Sequence, residues 1–357
     1  MLMMRVFLKR VPFPENRAFC IAPWTHTYLS PQSERRLCCA SHEKAQFTQQ
    51  YIDQRGEISS YKPKSLEEHW NGDFMRGIRR QMLQGIQPDE CKICNEQILN
   101  LHTYKRYFNE TMFPHHLDKA FKNTDDEGYT TLKPISFDYR FSNICDFKCR
   151  MCGPQLSSAW EAETLRNVDR GFTIEEWMRP EIKRQISHFH KQVVEVEFLR
   201  AIERGEVEEI YWVGGEPTMW PIHWSSMQRL IQDGNAHKVF VRYNTNLNHI
   251  VHKGVHLFDD LLPHFKGYNV CASIDAAGKI GEFLRTGFQW HTWIENFKSG
   301  LKHRQPGQMD SLVFDLTLTL PGLFGLKELF DTACELNINM YVKIVFDFDP
   351  SKILSPF

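Results

Sequence analysis

From Pro134 onward, short runs of β-branched and aromatic residues alternate with longer segments whose apolar positions recur three and four residues apart. The first pattern reads as strand and the second as helix, because side chains alternate across a strand and return to one face of a helix every three to four residues. Six strands are expected, over Ile135–Phe141, Glu209–Val213, Lys238–Asn244, Tyr268–Ile274, Leu312–Leu320 and Met340–Phe346. Helices are expected between them, over Glu181–Ile202, His223–Gln232, Trp290–His303 and Leu326–Leu336. Strand and helix in regular alternation predict β-α units and a parallel sheet. Ligands meet such sheets at the carboxyl ends of the strands, so the residues just past each run are the ones to read for chemistry.

The chain before this region shows no such alternation, and polar residues separate its groups of cysteines. Residues 1–128 therefore read as a smaller unit ahead of a second domain, 129–357, with Asn123–Gly128 as the linker, since small polar and acidic residues there break both patterns. Within the first unit, Trp70–Leu83 reads as an amphipathic helix leading to Cys91. Its apolar positions are expected in the core. Arg76, Arg79 and Arg80 are expected on a solvated cationic face, with a substrate entry as the alternative.

A length of 357 residues with 42% hydrophobic and 24% charged residues fits one large barrel-like domain or two smaller ones, and excludes disorder, collagen-like repeats and a coiled coil as the main architecture. The formal net charge of -1 carries no polyanion-binding signature, so nucleic acid is not expected as a partner. Arg5 interrupts the apolar stretch Met1–Leu8, and no run approaches the roughly 18–20 apolar residues of a membrane span. A cytoplasmic protein without a membrane partner is the expectation. The end at Phe357, soon after the sixth strand, leaves no room for a full final helix, which implies a truncated chain or a barrel more open there.

Ten cysteines stand at positions 20, 38, 39, 91, 94, 145, 149, 152, 271 and 334, and eight of them are grouped. Close cysteine spacing in a long chain argues for metal rather than a disulfide framework. Cys271 and Cys334 lie alone in apolar stretches and are expected to be buried small hydrophobes. Cys145-Asp-Phe-Lys-Cys149-Arg-Met-Cys152 follows directly on the first strand with the spacing C-x3-C-x2-C. Three thiolates on one short loop can hold three irons of a [4Fe-4S] cube and leave the fourth open. A zinc site closed by a distant fourth ligand is the alternative. Gly214-Gly215-Glu216-Pro217 comes just after the second strand. Its glycines let a ligand approach the backbone, Pro217 stiffens the exit, and Glu216 is placed to accept from a cationic amine. Taken alone, it would be an ordinary strand-to-helix turn.

Together, the three-cysteine loop and the Gly-Gly-Glu-Pro turn one β-α unit later resemble the radical S-adenosylmethionine (SAM) enzymes, among them the members with a twitch domain, a shortened SPASM-type auxiliary-cluster domain. The resemblance to the family's core spans about Pro134 to Phe348. It implies an α/β fold, a partial (β/α)6 TIM-like barrel, here preceded by a small cysteine-rich twitch-like unit. By resemblance, Cys145, Cys149 and Cys152 bind a [4Fe-4S] cluster whose open iron is chelated by the methionyl amine and carboxylate of SAM, and Gly214, Gly215 and Glu216 meet the amine. Asn244, Asn246, Ser273 and Asp275 look like the family's ribose- and carboxylate-contacting positions, and Arg285 resembles its SAM-carboxylate arginine. For a Ser or Asn at a strand end, turn formation is the plain alternative. Met151 replaces the aromatic residue commonly found before the third cysteine and is expected to cover the adenine, against an apolar wall of Val342–Val345.

In the first unit, Cys20, Cys38 with Cys39, and the pair Cys91 and Cys94 offer enough thiolates for a cluster or for zinc, and composition does not separate the two. Resemblance to twitch domains favours an auxiliary [4Fe-4S] cluster on Cys20, Cys38, Cys91 and Cys94, with zinc as the alternative. Two features depart from the family. The unit precedes the barrel, and Cys39 leaves the second ligand ambiguous; His26 and His42 are substitute ligands. The activity implied is reductive cleavage of SAM to a 5′-deoxyadenosyl radical that abstracts hydrogen from substrate, fed by a reductant such as flavodoxin or ferredoxin, for oxidative modification of a peptide or small molecule. The sequence singles out no catalytic acid or base. A reading from another class is a non-catalytic interaction module with structural zinc at both cysteine groups.

Overall fold

The computed structural model describes residues 10–11, 15–41, 62–96, 104–304 and 309–344. The chain divides into two compact units, one made of Met1–Asp138 with Gln185–Val207 and the other of Tyr139–Arg184 with Glu208–Phe357.

In the first unit, Pro23 opens a single turn of helix, Ala22–Thr25, where its missing N–H costs nothing. The chain continues into strand β1, His26–Leu29, and turns back through Ser33, at φ 66°, into β2, Arg35–Arg36, with Tyr28 opposite Arg36. Strand β3, Ser136–Tyr139, lies on the other side of β1. The helix expected from Trp70 is two helices, Leu66–Trp70 and Asp73–Leu83. Ser65 and Glu68 form a capping box that starts the first. Gly72 separates them in an extended conformation, with the carbonyl of Glu68 only 2.5 Å from where a Cβ would stand. Phe19, Trp24, Met75, Ile78, Met82, Phe108 and Phe113 make the core of this unit.

The expected cationic face of the second helix is only partly one. Arg76 and Arg80 are partly exposed beside the Glu127 carboxylate, at 3.8 and 3.7 Å. Arg79 turns inward and is fully buried, which corrects its reading as solvated. Its guanidinium donates to Pro23 O (2.9 Å), Asn71 Oδ1 (2.9 Å) and Gly128 O (3.4 Å) and lies 4.8 Å from the Trp70 ring centre. Burial lowers its pKa to about 9. Asn123–Gly128, expected as a linker, forms a tight turn within the first unit: the Asp125 carboxylate accepts from the backbone N–H of Glu127 and Tyr129, both at 2.9 Å.

The second unit carries the expected parallel sheet. The short strand β4, Lys148–Cys149, precedes β5, Glu209–Trp212, and β6, Phe240–Thr245; a small hairpin, β7 Val251–His252 and β8 Val255–His256, follows. Then come β9, Gly267–Ile274, β10, Arg285–Thr286, β11, Leu312–Leu318, and β12, Met340–Ile344. The order β5-β6-β9-β11-β12 is parallel throughout. Its helices include Pro221–Gln232, Trp290–Leu301 and Leu326–Glu335.

Period-two alternation sorts this sheet into two faces. Ile210, Trp212, Val241, Tyr243, Val270, Ala272, Ile274, Phe314 and Leu316 are buried under the helices, with Phe297 and Trp293 at 4.7 and 5.2 Å from the Phe314 ring. Tyr211, Arg242, Asn244, Asn269, Cys271, Ser273, Asp315 and Lys343 occupy the alternate positions and make the other face polar. Cys271 is buried as expected, whereas Cys334 is exposed on its helix, correcting its reading as a buried hydrophobe. Among the described residues, no helix is long and apolar enough to cross a membrane.

Arg79→Met should destabilise the first unit by on the order of 3 kcal/mol, because the buried carbonyls of Pro23 and Gly128 lose their donor, while Asn71 Oδ1 keeps the Thr130 N–H. Hydrogen exchange checks this. Faster exchange in Asp73–Leu83 is expected, with β6 and β9 of the second unit unchanged.

Candidate functional site

The cysteine loop of the second unit is fixed by short local bonds. The Ser158 hydroxyl lies 3.2 Å from both the N–H and the carbonyl of Cys145, and Ser157 Oγ donates to Phe147 O at 2.7 Å. Cys149 lies opposite Arg285 in the β4–β10 pair, and Trp160 Nε1 donates to its carbonyl at 2.8 Å. Burial pushes all three thiols up, Cys149 to about 12, while the Arg285 cation pulls Cys149 and Cys152 back. Thiols so placed ionise when a metal takes the place of the proton. Three thiols on one bonded loop make a donor set that suits iron and zinc alike.

The Gly-Gly-Glu turn packs directly on that loop. Gly215 N donates to Ser142 O at 3.3 Å and Glu216 N to Ile144 O at 2.7 Å. A Cβ on Gly215 would lie 2.3 Å from Ile144 O, so only glycine allows this approach. Glu216 is 1% exposed, and its carboxylate accepts from Thr218 Oγ1 (2.7 Å), Thr218 N (3.2 Å), Thr245 Oγ1 (2.7 Å) and Asn246 N (2.6 Å). Burial raises its pKa against the pull of these donors. Three of the four reach Oε1, so the acceptor capacity that remains is on Oε2.

Asn246 closes a ring between the two segments. Its side-chain nitrogen donates to Asp146 Oδ1 at 2.8 Å and stands 4.0 Å from Cys145 Sγ. Asp146 also accepts from Asn248 Nδ2 at 2.6 Å and lies 3.0 Å from His249 Nε2. Burial opposes its charge, but these donors outweigh it and hold the carboxyl below its ordinary range. Asp146, Asn248 and His249 escaped sequence reading, since the motif constrains only its cysteines; the available signal was a run of amides just past β6.

The other expected residues fall into two groups. Asp275 and Arg285 form a buried bidentate pair at 2.6 and 2.7 Å. Burial opposes the Arg285 charge, but Asp275 with the nearby cysteines outweighs it and holds the guanidinium protonated. Asn244 and Ser273 sit on the polar face. Asn244 bonds Asp315 at 2.5 Å and accepts from the Tyr211 hydroxyl, and Ser273 is in register with Asp315. Lys343 pairs with Asp315 at 2.8 Å, and Val342 and Ile344 are exposed, while Val345 lies outside the described residues. Met151 is half-buried in the loop.

In the first unit, Cys20, Cys38, Cys91 and Cys94 line one small cavity, with Glu90 and Lys105 at its wall. Asn109 brackets Cys20, accepting from Ile21 N at 2.8 Å and donating to Phe19 O at 2.9 Å. The start of helix Lys92–Glu96 places Cys91 and Cys94 on one side, three residues apart. Burial raises Cys20 to about 12 and lifts Cys38 and Cys91 further. Cys39 is half-buried and does not line the cavity. His26 does not line it either; it bonds Ser136 Oγ at 2.7 Å. His42 lies outside the described residues.

A scan against protein-family models and a search of the curated proteins each found no match. Among solved structures, the chain is similar to Streptococcus suis SuiB bound to S-adenosylmethionine, at 16% identity over 74% of this chain and 52% of that one, with a TM-score of 0.41. It is also similar to SuiB bound to the precursor peptide SuiA, at 15% identity over 68% of this chain and 45% of that one, with a TM-score of 0.39. The chain spans about half the length of the solved chains it matches.

Gly215→Ala should displace the Ile144 carbonyl and with it the cysteine loop, so protein isolated anaerobically should carry less metal per chain by elemental analysis. Gly77→Ala, where an added methyl meets nothing within 4 Å, is the control and should keep the wild-type content.

Proposed function

We propose that this chain is a radical SAM enzyme that oxidatively modifies a peptide in the cytoplasm. The observation that carries the reading is the three-cysteine loop bonded through Ser142 and Ile144 to a Gly-Gly-Glu turn, beside the carboxyl ends of a parallel sheet. Cys145, Cys149 and Cys152 would hold a [4Fe-4S] cluster. When bound there, the cluster supplies one electron to the sulfonium of SAM, releasing methionine and a 5′-deoxyadenosyl radical that takes hydrogen from substrate.

The chain's own residues bind and orient. Glu216 offers its remaining acceptor on Oε2 to the methionyl amine, beside the backbone of Gly214 and Gly215. Arg285 keeps a protonated guanidinium against Cys149 and Cys152 and is the group available to the methionyl carboxylate, steadied by Asp275. Asn246 ties the amine site to Cys145 through Asp146, and Met151 covers the adenine. Asn244 and Ser273 line the polar face toward the ribose. The peptide substrate follows from the resemblance to twitch-domain enzymes.

Cys20, Cys38, Cys91 and Cys94 would hold an auxiliary cluster with no open position, suited to carrying away the electron that an oxidised product must lose. Lys105 at the cavity wall favours thiolate at Cys20 and Cys91.

Reconstituted protein should contain about eight irons per chain, falling to about four when Cys91 and Cys94 are changed to Ala. Dithionite and SAM should yield 5′-deoxyadenosine with wild type and none with the Cys145, Cys149 and Cys152 triple Ala variant. Zinc at both cysteine groups with no 5′-deoxyadenosine formed would refute the reading and leave the structural-zinc module.

A further inference from the structure

The reaction proposed above takes one electron from outside for every SAM cleaved, so the cysteine loop needs a place where a donor can approach. From Cys145 to Cys152, Arg150 is the one exposed residue. It stands between Cys149 and Cys152, so a partner touching it is one residue from one sulfur and two from another.

Its side chain is held in place. The backbone N–H donates to Leu284 O at 2.9 Å, Nε donates to Phe283 O at 3.2 Å, and the guanidinium carbon lies 4.0 Å from the Phe283 ring centre. Phe283 is itself 55% exposed, a large apolar surface presented beside a cation. Arg over an exposed aromatic is the composition of an interface hot spot, and a guanidinium already ordered loses little freedom on binding.

The charge of Arg150 is uncommitted. Lys148 is paired with Glu163, and Lys279 with Glu282 at 2.7 Å. Among the described residues, Arg150 has no carboxylate within ion-pair distance, and its two terminal nitrogens make no hydrogen bond. Such a fork takes a carboxylate in bidentate fashion.

We propose that Arg150, seated on Phe283, is the docking point for an acidic one-electron carrier protein that reduces the cluster of the three-cysteine loop. The inference rests on the radical SAM reading. In the step, the carrier is oxidised by one electron and the cluster reduced by one, with no proton or group transferred.

The test measures 5′-deoxyadenosine formation driven either by enzymatically reduced flavodoxin, the acidic probe, or by dithionite, which needs no docking surface. Arg150→Glu should raise the KM for flavodoxin about tenfold or more, the loss of one hot-spot contact. Arg150→Lys should restore most of it, and Phe283→Ala should raise it by a smaller factor. Dithionite-driven rate, iron content and SAM affinity should match wild type, and oxidised flavodoxin should bind the Arg150→Glu variant more weakly by calorimetry. An unchanged KM for flavodoxin in Arg150→Glu would overturn the proposal. So would a dithionite-driven rate that falls in parallel, since the residue would then act on the loop itself. If wild type forms no 5′-deoxyadenosine with dithionite, the radical SAM reading falls, and the docking inference with it.

Discussion

A carboxylate buried to 1% exposure must find donors, and Glu216 finds four. Leaving such a group unpaired costs more than a typical hydrogen bond gains, so its position dictates those of its donors. Thr218 begins the segment leading to helix Pro221–Gln232, Thr245 ends β6, and Asn246 opens the loop that reaches Asp146. Its carboxylate reaches Asp146 through Asn246, and its backbone N–H holds the Ile144 carbonyl, so Glu216 fixes the chain on both sides of Cys145. The cysteine loop has little regular structure, and it gains rigidity from a bonded ring whose anchor is a strand-end turn.

The sheet that carries this turn has two unlike faces, as its period-two alternation requires. The apolar face packs against helices and needs only volume and shape, which tolerate many hydrophobic combinations. The polar face presents Tyr211, Asn244, Asp315 and Lys343 in one bonded series across four strands. Asp315 Oδ2 accepts from both Asn244 and Lys343 and links the series, while Asp315 Oδ1 makes no hydrogen bond among the described residues.

Strand and helix positions in the second unit were legible in the sequence because burial there follows the period of each element. Observed β9, Gly267–Ile274, and helix Trp290–Leu301 fall within one or two residues of the expected limits. The cysteine loop and the Gly-Gly-Glu turn were legible as motifs, but their partners were not. Asp146, Asn248 and His249 meet only after β6 has brought separate loops together, and no local pattern encodes that meeting. The break at Gly72 and the inward turn of Arg79 failed to show for a related reason. An amphipathic pattern continues across a glycine, and an arginine can be buried wherever carbonyls converge, as those of Pro23 and Gly128 do.

The charges around the three-cysteine loop bear on any metal group its thiols would hold. Asp146, Glu216 and Asp275 all raise the thiols near them, while Arg285 opposes them from within the site. Arg285 is itself matched by the bidentate Asp275, so its cation adds little net positive potential. Carboxylates beside thiols disfavour added negative charge, so they would lower the potential of a redox metal group held there. Arg150 lies outside this balance. Its charge faces water, where screening weakens its hold on a buried group but leaves it free to meet a partner.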